Sequence, residues 1–323
     1  MNNYFNARLG EIKMDNICFL ILHYNSIEET VNCILSIKKL DSQNYKINIV
    51  VVDNGSSNNT GIKLKEKYKN DEDVTIIINE NNYGFSRGNN IGFKYCKETF
   101  NPKYIIVTNN DVIFKQKDTI INLDKLNDKY KFDVYGPDIF SSRKFWHQSP
   151  QKLNYLDSKM TKNELNKLEN DLSCYENNIL AKSEKKKLSN LIKNDSFIYI
   201  FIKKLALLLN INNTNNYKVP QSNVVIHGAC IIFSYSYIDK FDNCFEPETF
   251  LYWEEDLLLI KCLRHNLKII YDPKIQVLHL EEGSTKTQEN NLEKMKFKTK
   301  EMIKSGKIYL NEILKFEKEN LNT

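Results

Sequence analysis

The feature that most constrains this chain is the order of its apolar runs. Ile17–Leu22 reads ICFLIL, with no polar residue. Such a run is what a strand buried on both faces of a parallel sheet presents. Ile27–Leu40 follows with Ile27, Val31, Ile34, Leu35 and Ile37 at helical spacing. Ser26 stands before it and Glu29 three residues on, the pattern of a capping box. The alternation then repeats. Ile47–Val52 (INIVVV) reads as a second strand, Asn59–Asn70 as a lysine-rich helix and Val74–Ile78 as a third strand. Ser86–Cys96 reads as a helix and Tyr104–Val107 as a fourth strand. Strands and helices alternating at this pitch predict an α/β fold, a parallel sheet with helices on its faces.

The middle of the chain differs. Residues 151–220 are rich in Lys, Asn, Glu and Leu and show no strand signal until Asn223, which predicts a helical insertion. Within it, Phe197–Leu209 is apolar apart from two lysines. A buried helix or a partner face is the simpler reading, and a helix lying on a membrane surface the sharper one. The α/β pattern returns with a strand over Val224–Phe233, a helix over Glu254–Asn266, and short strands over Lys268–Tyr271 and Ile275–Leu278. The tail, Lys286–Phe316, is helical in period, with Met295, Met302, Ile303, Ile308, Tyr309, Leu310 and Ile313 as its apolar positions. The expected organisation is one domain over 16–285, carrying the insertion, and a helical tail over 286–323. No internal repeat is present.

Composition narrows the class. A chain of 323 residues accommodates one domain of about 250 residues plus an insertion or tail. The formal net charge of +5 is a mild excess spread over a long chain. It suits an anionic nucleotide or an anionic membrane surface and is no nucleic-acid signature. The seven cysteines, Cys18, Cys33, Cys96, Cys174, Cys230, Cys244 and Cys262, are odd in number, widely spaced and without a CxxC pair. That speaks against zinc and for reduced, buried thiols, hence a cytoplasmic setting. Met1–Asp15 has no apolar core of a signal peptide. No apolar run reaches the roughly 20 residues needed to span a bilayer.

In an open parallel sheet, ligands bind at the carboxyl ends of the strands. The polar residues leaving those strands are therefore the candidate site. His23-Tyr24-Asn25 follows the first strand, and Asp53-Asn54-Gly55-Ser56-Ser57 the second. The Asp53 carboxylate can accept hydrogen bonds from a base or ribose, although these are also turn residues. NENNYGFSRGNNIG, over Asn79–Gly92, follows the third. Gly84, Gly88 and Gly92 recur every four residues, so a helix would put them on nearly one face, facing either a ligand or a close-packed sheet. Arg87 is a candidate for a diphosphate. The spacing is not GxGxxG, which disfavours a nicotinamide enzyme. Thr108-Asn109-Asn110-Asp111 follows the fourth strand, where a carboxylate can hold a divalent cation whose shell is completed by phosphates. By itself the triplet reads by default as a turn.

The order HYN, VVDNGSSNNT, NENNYGFSRGNNIG, TNNDV resembles the nucleotide-binding half of family 2 glycosyltransferases with the GT-A fold. The likeness is greatest to rhamnosyltransferase-like and polysaccharide-assembly members. It implies a mixed, mostly parallel central sheet, with the helical insertion and C-terminal helices as additions. It also implies that Asp53 binds the nucleoside and that Asp111 is the metal-binding end of the DxD motif, with Asn109 where the first aspartate would stand. His23, Tyr24, Asn25, Gly84, Arg87 and Asn110 would line the donor. His227-Gly228-Ala229 resembles a segment near the acceptor, with Trp253 added to it. Glu254-Glu255-Asp256 resembles the acidic motif that supplies the base, with Glu255 best aligned; three acids at a helix start also complement the helix dipole. His279 would join the metal or the diphosphate, and the Gly-Ser step at 283–284 would approach the phosphates. His147 and His265 read as structural or surface residues.

The resemblance thus implies an inverting enzyme using Mn2+ or Mg2+, with a UDP- or dTDP-sugar donor and a glycan or lipid-linked glycan acceptor in bacterial surface polysaccharide synthesis. Nucleic acid is not an expected partner. Peripheral contact with the inner face of the membrane and self-association both stay open. The rivals are a nucleotidyltransferase, disfavoured by HYNS where a Gly-rich basic loop is wanted, and an inactive nucleotide-sugar-binding scaffold.

Overall fold

A computed structural model describes residues 15–177, 216–281 and 291–321. The apolar run Phe197–Leu209 and the Gly-Ser step at 283–284 lie outside the described residues.

The predicted alternation is present. β1 (Asp15–His23), α1 (Ile27–Ile37), β2 (Tyr45–Asp53), α2 (Thr60–Lys67), β3 (Val74–Ile78), α3 (Gly84–Phe100) and β4 (Tyr104–Asn109) follow in order. β5 (Val112–Ile113), α4 (Thr119–Tyr130), β6 (Val134–Ser141), β7 (Trp146–His147) and α5 (Ser158–Glu176) come next. After the undescribed stretch come β8 (Gln221–Ser222), β9 (Cys230–Ser234), α6 (Tyr235–Lys240), α7 (Glu254–Arg264), β10 (Ile269–His279) and α8 (Asn291–Leu321). The strands of the described residues form one sheet in the order β3-β2-β1-β4-β9-β6-β10-β5, with β7 on β6 and β8 on β10. Its longest ladders, β1–β2 and β6–β10, are parallel. β9 runs antiparallel to both β4 and β6 and seams the two parallel blocks together.

The period-2 rule explains why the central strands read as unbroken apolar runs. Ile17, Phe19 and Ile21 of β1 join Ile49 and Val51 of β2 and Ile106 of β4 on one face, under Ile34 of α1, Leu64 of α2 and Leu123 of α4. The alternate residues, Cys18, Leu20, Val50, Val52, Ile105 and Val107, face the other way. They pack against Phe93 and Cys96 of α3, Tyr237 of α6 and Leu258 of α7. Each face is thus covered by helices, giving three layers. A third, smaller cluster joins Trp253, Leu257 and Ile260 to Tyr309, Ile313 and Phe316, and docks α8 on α7.

Three expectations need correction. Ser26 is the N-cap of α1 but makes no side-chain cap bond; instead its carbonyl accepts from the Thr30 hydroxyl at 3.0 Å. The strand expected over Val224–Phe233 begins only at Cys230. Val224–Ala229 is an approach segment, pinned where Val225 bridges Lys152. The two short strands at 268–278 are one strand, β10, whose register shifts between Tyr271 and Gln276. Pro273 interrupts the ladder there because it has no N–H to give. The predicted insertion is helical where α5 begins it, and α5 packs against α8. Six of the cysteines are buried and all seven are free thiols. Among the described residues no helix is long and apolar enough to cross a membrane.

Candidate active site

The sheet topology gathers one set of chain segments at one edge. The carboxyl ends of β1, β2 and β4 lie side by side. β9 enters from the same edge, because Asn109 N–H donates to the Ala229 carbonyl at 2.9 Å just before β9 starts. The chain leaving β4 crosses this edge through Asn110 and Asp111, and the two residues after them pair with the end of β10, Val112 opposite His279. That two-residue strand, β5, carries Asp111 to His279. Asp111 Oδ1 lies 3.2 Å from His279 Nε2, and the Leu280 N–H donates to the Asp111 carbonyl at 3.0 Å.

The acidic trio reaches the same edge from the other side. The Gly228 N–H donates to Glu255 Oε1 at 2.9 Å, and Gln151 Nε2 donates to the same oxygen at 3.2 Å. A Cβ on residue 228 would lie 2.5 Å from that oxygen and would displace the carboxylate from this position. His227, beside Gly228, places its ring 5.8 Å from the His279 ring. Contacts therefore run from Glu255 through Gly228 and His227 to His279 and Asp111. Glu255 of the trio thus lies on the same edge as Asp111 and His279.

Within the trio the three carboxylates have different surroundings. α7 rotates about 100° per residue, so only one neighbour points at the cleft. Glu254 is 3% exposed, its Oε1 has no hydrogen-bond partner among the described residues, and burial together with the Glu255 charge pushes it up to about 8. Asp256 is buried and gripped by Lys152 Nζ at 2.6 and 2.8 Å. Burial raises it, against the opposing pull of Lys152. Glu255 is half-buried at the cleft wall. Burial also raises its carboxyl, offset in part by the backbone N–H groups that bind it. Glu254 and Asp256 are thereby corrected as base candidates: one has no open face and the other is already paired. The trio is delivered by a strained turn, since Tyr252 and Trp253 both sit in the left-handed region, at φ 73° and 70°.

Several donor-side expectations are also corrected. His23 is fully buried, with Thr30 Oγ1 at 2.6 Å on one ring nitrogen and Thr60 Oγ1 at 2.9 Å on the other. It ties β1 to α1 and α2 and has no surface left for a ligand. Burial also holds its ring below the usual histidine range, against the neighbouring Asp53. Gly84 is packed against Phe250, and Gly88 and Gly92 against Leu22, Leu20 and Val52. Gly88 and Gly92 are therefore helix–sheet packing, and Gly84 packs on the loop before α7. Arg87 is exposed, and its Nε donates to the Pro247 carbonyl at 2.8 Å, tethering α3 to the loop before α7. Asn110 Nδ2 donates to Thr30 Oγ1 at 3.0 Å, and Asn25 accepts from the Ser57 N–H at 3.1 Å. Both shape loops at the rim, where Tyr24 stands exposed. Asp53 is buried at the end of β2, accepting from the Ser56 N–H at 3.2 Å and from the Ser56 hydroxyl.

Trp253 is corrected as an acceptor contact. It is 7% exposed, stacks on Tyr309 with centroids 5.0 Å apart and donates to the Met302 carbonyl at 3.1 Å. It anchors α8. Ala229 is buried too; its N–H donates to His227 Nδ1 at 3.1 Å. That bond leaves the His227 proton on Nε2. Burial, then the charge of His279, holds His227 down at about 3, so it is neutral at ordinary pH.

A polar group with no motif of its own completes the edge. Gln148, one residue beyond β7, meets His279 Nδ1 with its Oε1 at 2.7 Å and donates from Nε2 to Glu281 at 3.0 Å. Glu281 also receives Lys144 Nζ at 2.6 Å and the Ser141 hydroxyl at 2.6 Å. Burial works against its charge, but these donors outweigh it and keep the carboxyl below its usual range. Only the β6–β7 and β6–β10 registers bring these residues together. Nothing local in the sequence marks them.

A carboxylate and an imidazole nitrogen facing each other at 3.2 Å form a donor set with an acceptor on each side, which suits a divalent cation. Among the described residues no group of three or more His, Cys, Asp or Glu side chains stands ready for a metal. A two-ligand set fits an ion that takes its remaining ligands from phosphate and water.

Comparison with known proteins places the chain. The model of Glycosyl transferase family 2 matches residues 18–188, just over half of the chain. The low-salt glycan biosynthesis hexosyltransferase Agl10 of Haloferax volcanii is 26% identical over 135 residues, 42% of this chain and 40% of that protein. The crystal structure of residues 1–349 of S. aureus TarS in complex with UDP-GlcNAc superposes with a TM-score of 0.50 at 14% identity. That match covers 82% of this chain and 58% of the TarS chain. The chain thus spans well under two thirds of both proteins, and the likeness to TarS bears on the fold, a mixed sheet between helices. With the family match running from β1 into the segment beyond α5, this chain belongs to the glycosyltransferases of family 2.

Proposed function

We propose that the chain transfers a sugar, with inversion, from a nucleotide-diphosphate donor to a hydroxyl of a glycan acceptor. The observation that carries this reading is the convergence of Glu255 with Asp111 and His279 on one edge. Inversion is a single in-line displacement. The acceptor hydroxyl must lose its proton as it attacks, and a carboxylate within hydrogen-bond reach takes it. Glu255 suits that task. Its Oε1 is fixed by Gly228 and Gln151, and a carboxyl raised by burial is the stronger base. Neutral His227 stands next to Gly228 in the chain, with its ring toward His279. Asp53, at the end of β2, is assigned to the nucleoside. Asp111 and His279 would hold Mn2+ or Mg2+, and such an ion stabilises the charge growing on the leaving diphosphate. TarS, which shares the fold, was solved with UDP-GlcNAc; a UDP- or dTDP-sugar donor is proposed here on the same footing. A lipid-linked or polymeric acceptor of a bacterial surface polysaccharide, met at the inner face of the membrane, completes the proposal.

A thermal-shift panel of nucleotide sugars, with and without Mn2+, tests it. A ligand that binds only the folded state at a hundredfold excess over its Kd adds about 2.7 kcal/mol. One nucleotide sugar should raise the melting temperature, and more so with Mn2+. Indifference to every nucleotide sugar would remove the donor assignment.

A further inference from the structure

We propose that Gln148 is a positioning residue that selects the tautomer of His279, leaving Nε2 open toward Asp111, and that Glu281 with Lys144 fixes which way the Gln148 amide points. The proposal rests on the reading that Asp111 and His279 hold a divalent cation, but its first consequence is a property of the metal-free protein.

The argument is one of donors and acceptors. Glu281 is an ion pair with Lys144 at 2.6 Å and takes the Ser141 hydroxyl on its other oxygen. An ionised carboxylate only accepts. The Gln148 amide, 3.0 Å away, must therefore present its NH2 to Glu281. That leaves its carbonyl oxygen against His279 Nδ1 at 2.7 Å. A carbonyl also only accepts, so the proton on the His279 ring sits at Nδ1. Neutral His279 then carries its lone pair on Nε2, the atom 3.2 Å from Asp111 Oδ1. The pair is ready to receive a cation without any proton first leaving Nε2.

The hairpin makes this arrangement rigid. The Gln148 N–H donates to the Ile139 carbonyl at 2.8 Å, locking residue 148 to β6. β6 in turn pairs Ser141 with His279. Gln148 and His279 are themselves almost fully buried, so water does not compete freely for the Nδ1 proton. Histidines that bind metals depend on such a partner for the second nitrogen, and losing it typically costs about 10- to 100-fold in affinity. His227 next door has the opposite tautomer, since the Ala229 N–H occupies its Nδ1. Two neighbouring rings are thus set to opposite protonation patterns by fixed groups around them.

The test uses the whole chain labelled with 15N-histidine, without metal, at a pH where the spectrum shows the His279 ring singly protonated. Two-bond proton–nitrogen spectra separate the tautomers, and His279→Gln assigns the resonance. Wild type should show His279 protonated at Nδ1. Gln148→Leu should move the proton to Nε2, where it donates to Asp111. In the same variant Mn2+ affinity, read by electron paramagnetic resonance of the free ion, should fall about 10- to 100-fold. Glu281→Gln frees the amide to turn over and should give a mixture of tautomers, which covers the case of a Gln148→Leu chain that does not fold. Gln148→Glu combined with Glu281→Gln restores an acceptor at 148 and should restore the Nδ1–H form. Retention of the Nδ1–H form in both Gln148→Leu and Glu281→Gln would overturn the proposal, and so would unchanged Mn2+ affinity in a Gln148→Leu chain that has lost it. Asp111→Ala isolates the other reading. If it leaves Mn2+ affinity untouched, the cation site falls, while the tautomer spectra still decide the role of Gln148.

Discussion

Replacing Glu254 with glutamine should flatten the alkaline side of the stability profile. Glu254 is 3% exposed, and burial with the neighbouring Glu255 charge moves its carboxyl from 4.5 to about 8. The folded chain therefore holds a proton at this site over a range where the unfolded chain has released it. Stability falls with rising pH wherever the native state binds more protons. The contribution is fully present below about pH 4.5 and is lost as pH rises through about 8. At about 1.4 kcal/mol per pH unit, a span of roughly three and a half units sets a ceiling near 5 kcal/mol. Glutamine has the same shape and does not titrate. Urea denaturation of both proteins at steps between about pH 5 and pH 9 measures the difference directly. The variant should gain on wild type by several kcal/mol across that range and hold a constant margin above about pH 8. Glu255 and Asp256 are raised too and contribute with the same sign, and His227, held down at about 3, with the opposite sign. His227 remains in both chains and cancels in the comparison; Glu255 and Asp256, whose charges act on Glu254, lose that repulsion in the variant, so the measured margin includes it. Profiles that run parallel over the whole range would refute the assignment of that proton to Glu254.

Three further outcomes follow from the packing and the proposed chemistry. Glu255→Gln should lower turnover by about 10²- to 10⁴-fold while donor binding by calorimetry persists; undiminished turnover removes Glu255 from the mechanism. Gly92→Ala places a Cβ against Leu20 and 2.8 Å from Val52 Cγ2, and should destabilise by about 1–3 kcal/mol; a neutral denaturation midpoint would contradict the close α3–sheet contact. Trp253→Ala empties the stack on Tyr309 and should cost about 3–5 kcal/mol. A cost below about 1 kcal/mol would show that α8 does not depend on it.

The first half of the fold is legible in the sequence because buried parallel strands write unbroken apolar runs and their helices write a 3.6-residue period. β1 to β4 follow directly, and the corresponding strand ends mark the edge where Asp53 and Asp111 lie. The pieces that escape are those whose meaning depends on a distant partner. β5 is two residues long, too short for any period, yet it places Asp111. Gln148 carries no local signal, and Gln151 and Lys152 read as the polar start of an insertion, because the roles of the three are set by Glu281, Glu255 and Asp256 across the sheet and the cleft. The glycine stripe of α3 is ambiguous locally, since close approach to a ligand and to a sheet ask for the same missing Cβ. His23 and Trp253 are polar or aromatic residues at the right chain positions, but their side chains turn inward.

The shortness of β5 has a consequence for assembly. Asp111 and His279 belong to parallel blocks on opposite flanks of β9, and a ladder of only two residue pairs draws them together. That ladder joins segments remote along the chain, a closure that chain entropy delays. The proposed cation site therefore comes into existence only once β9 has stitched the blocks into one sheet. A cation held there would tie the two edges of that seam, so its occupancy and the integrity of the finished sheet should rise and fall together.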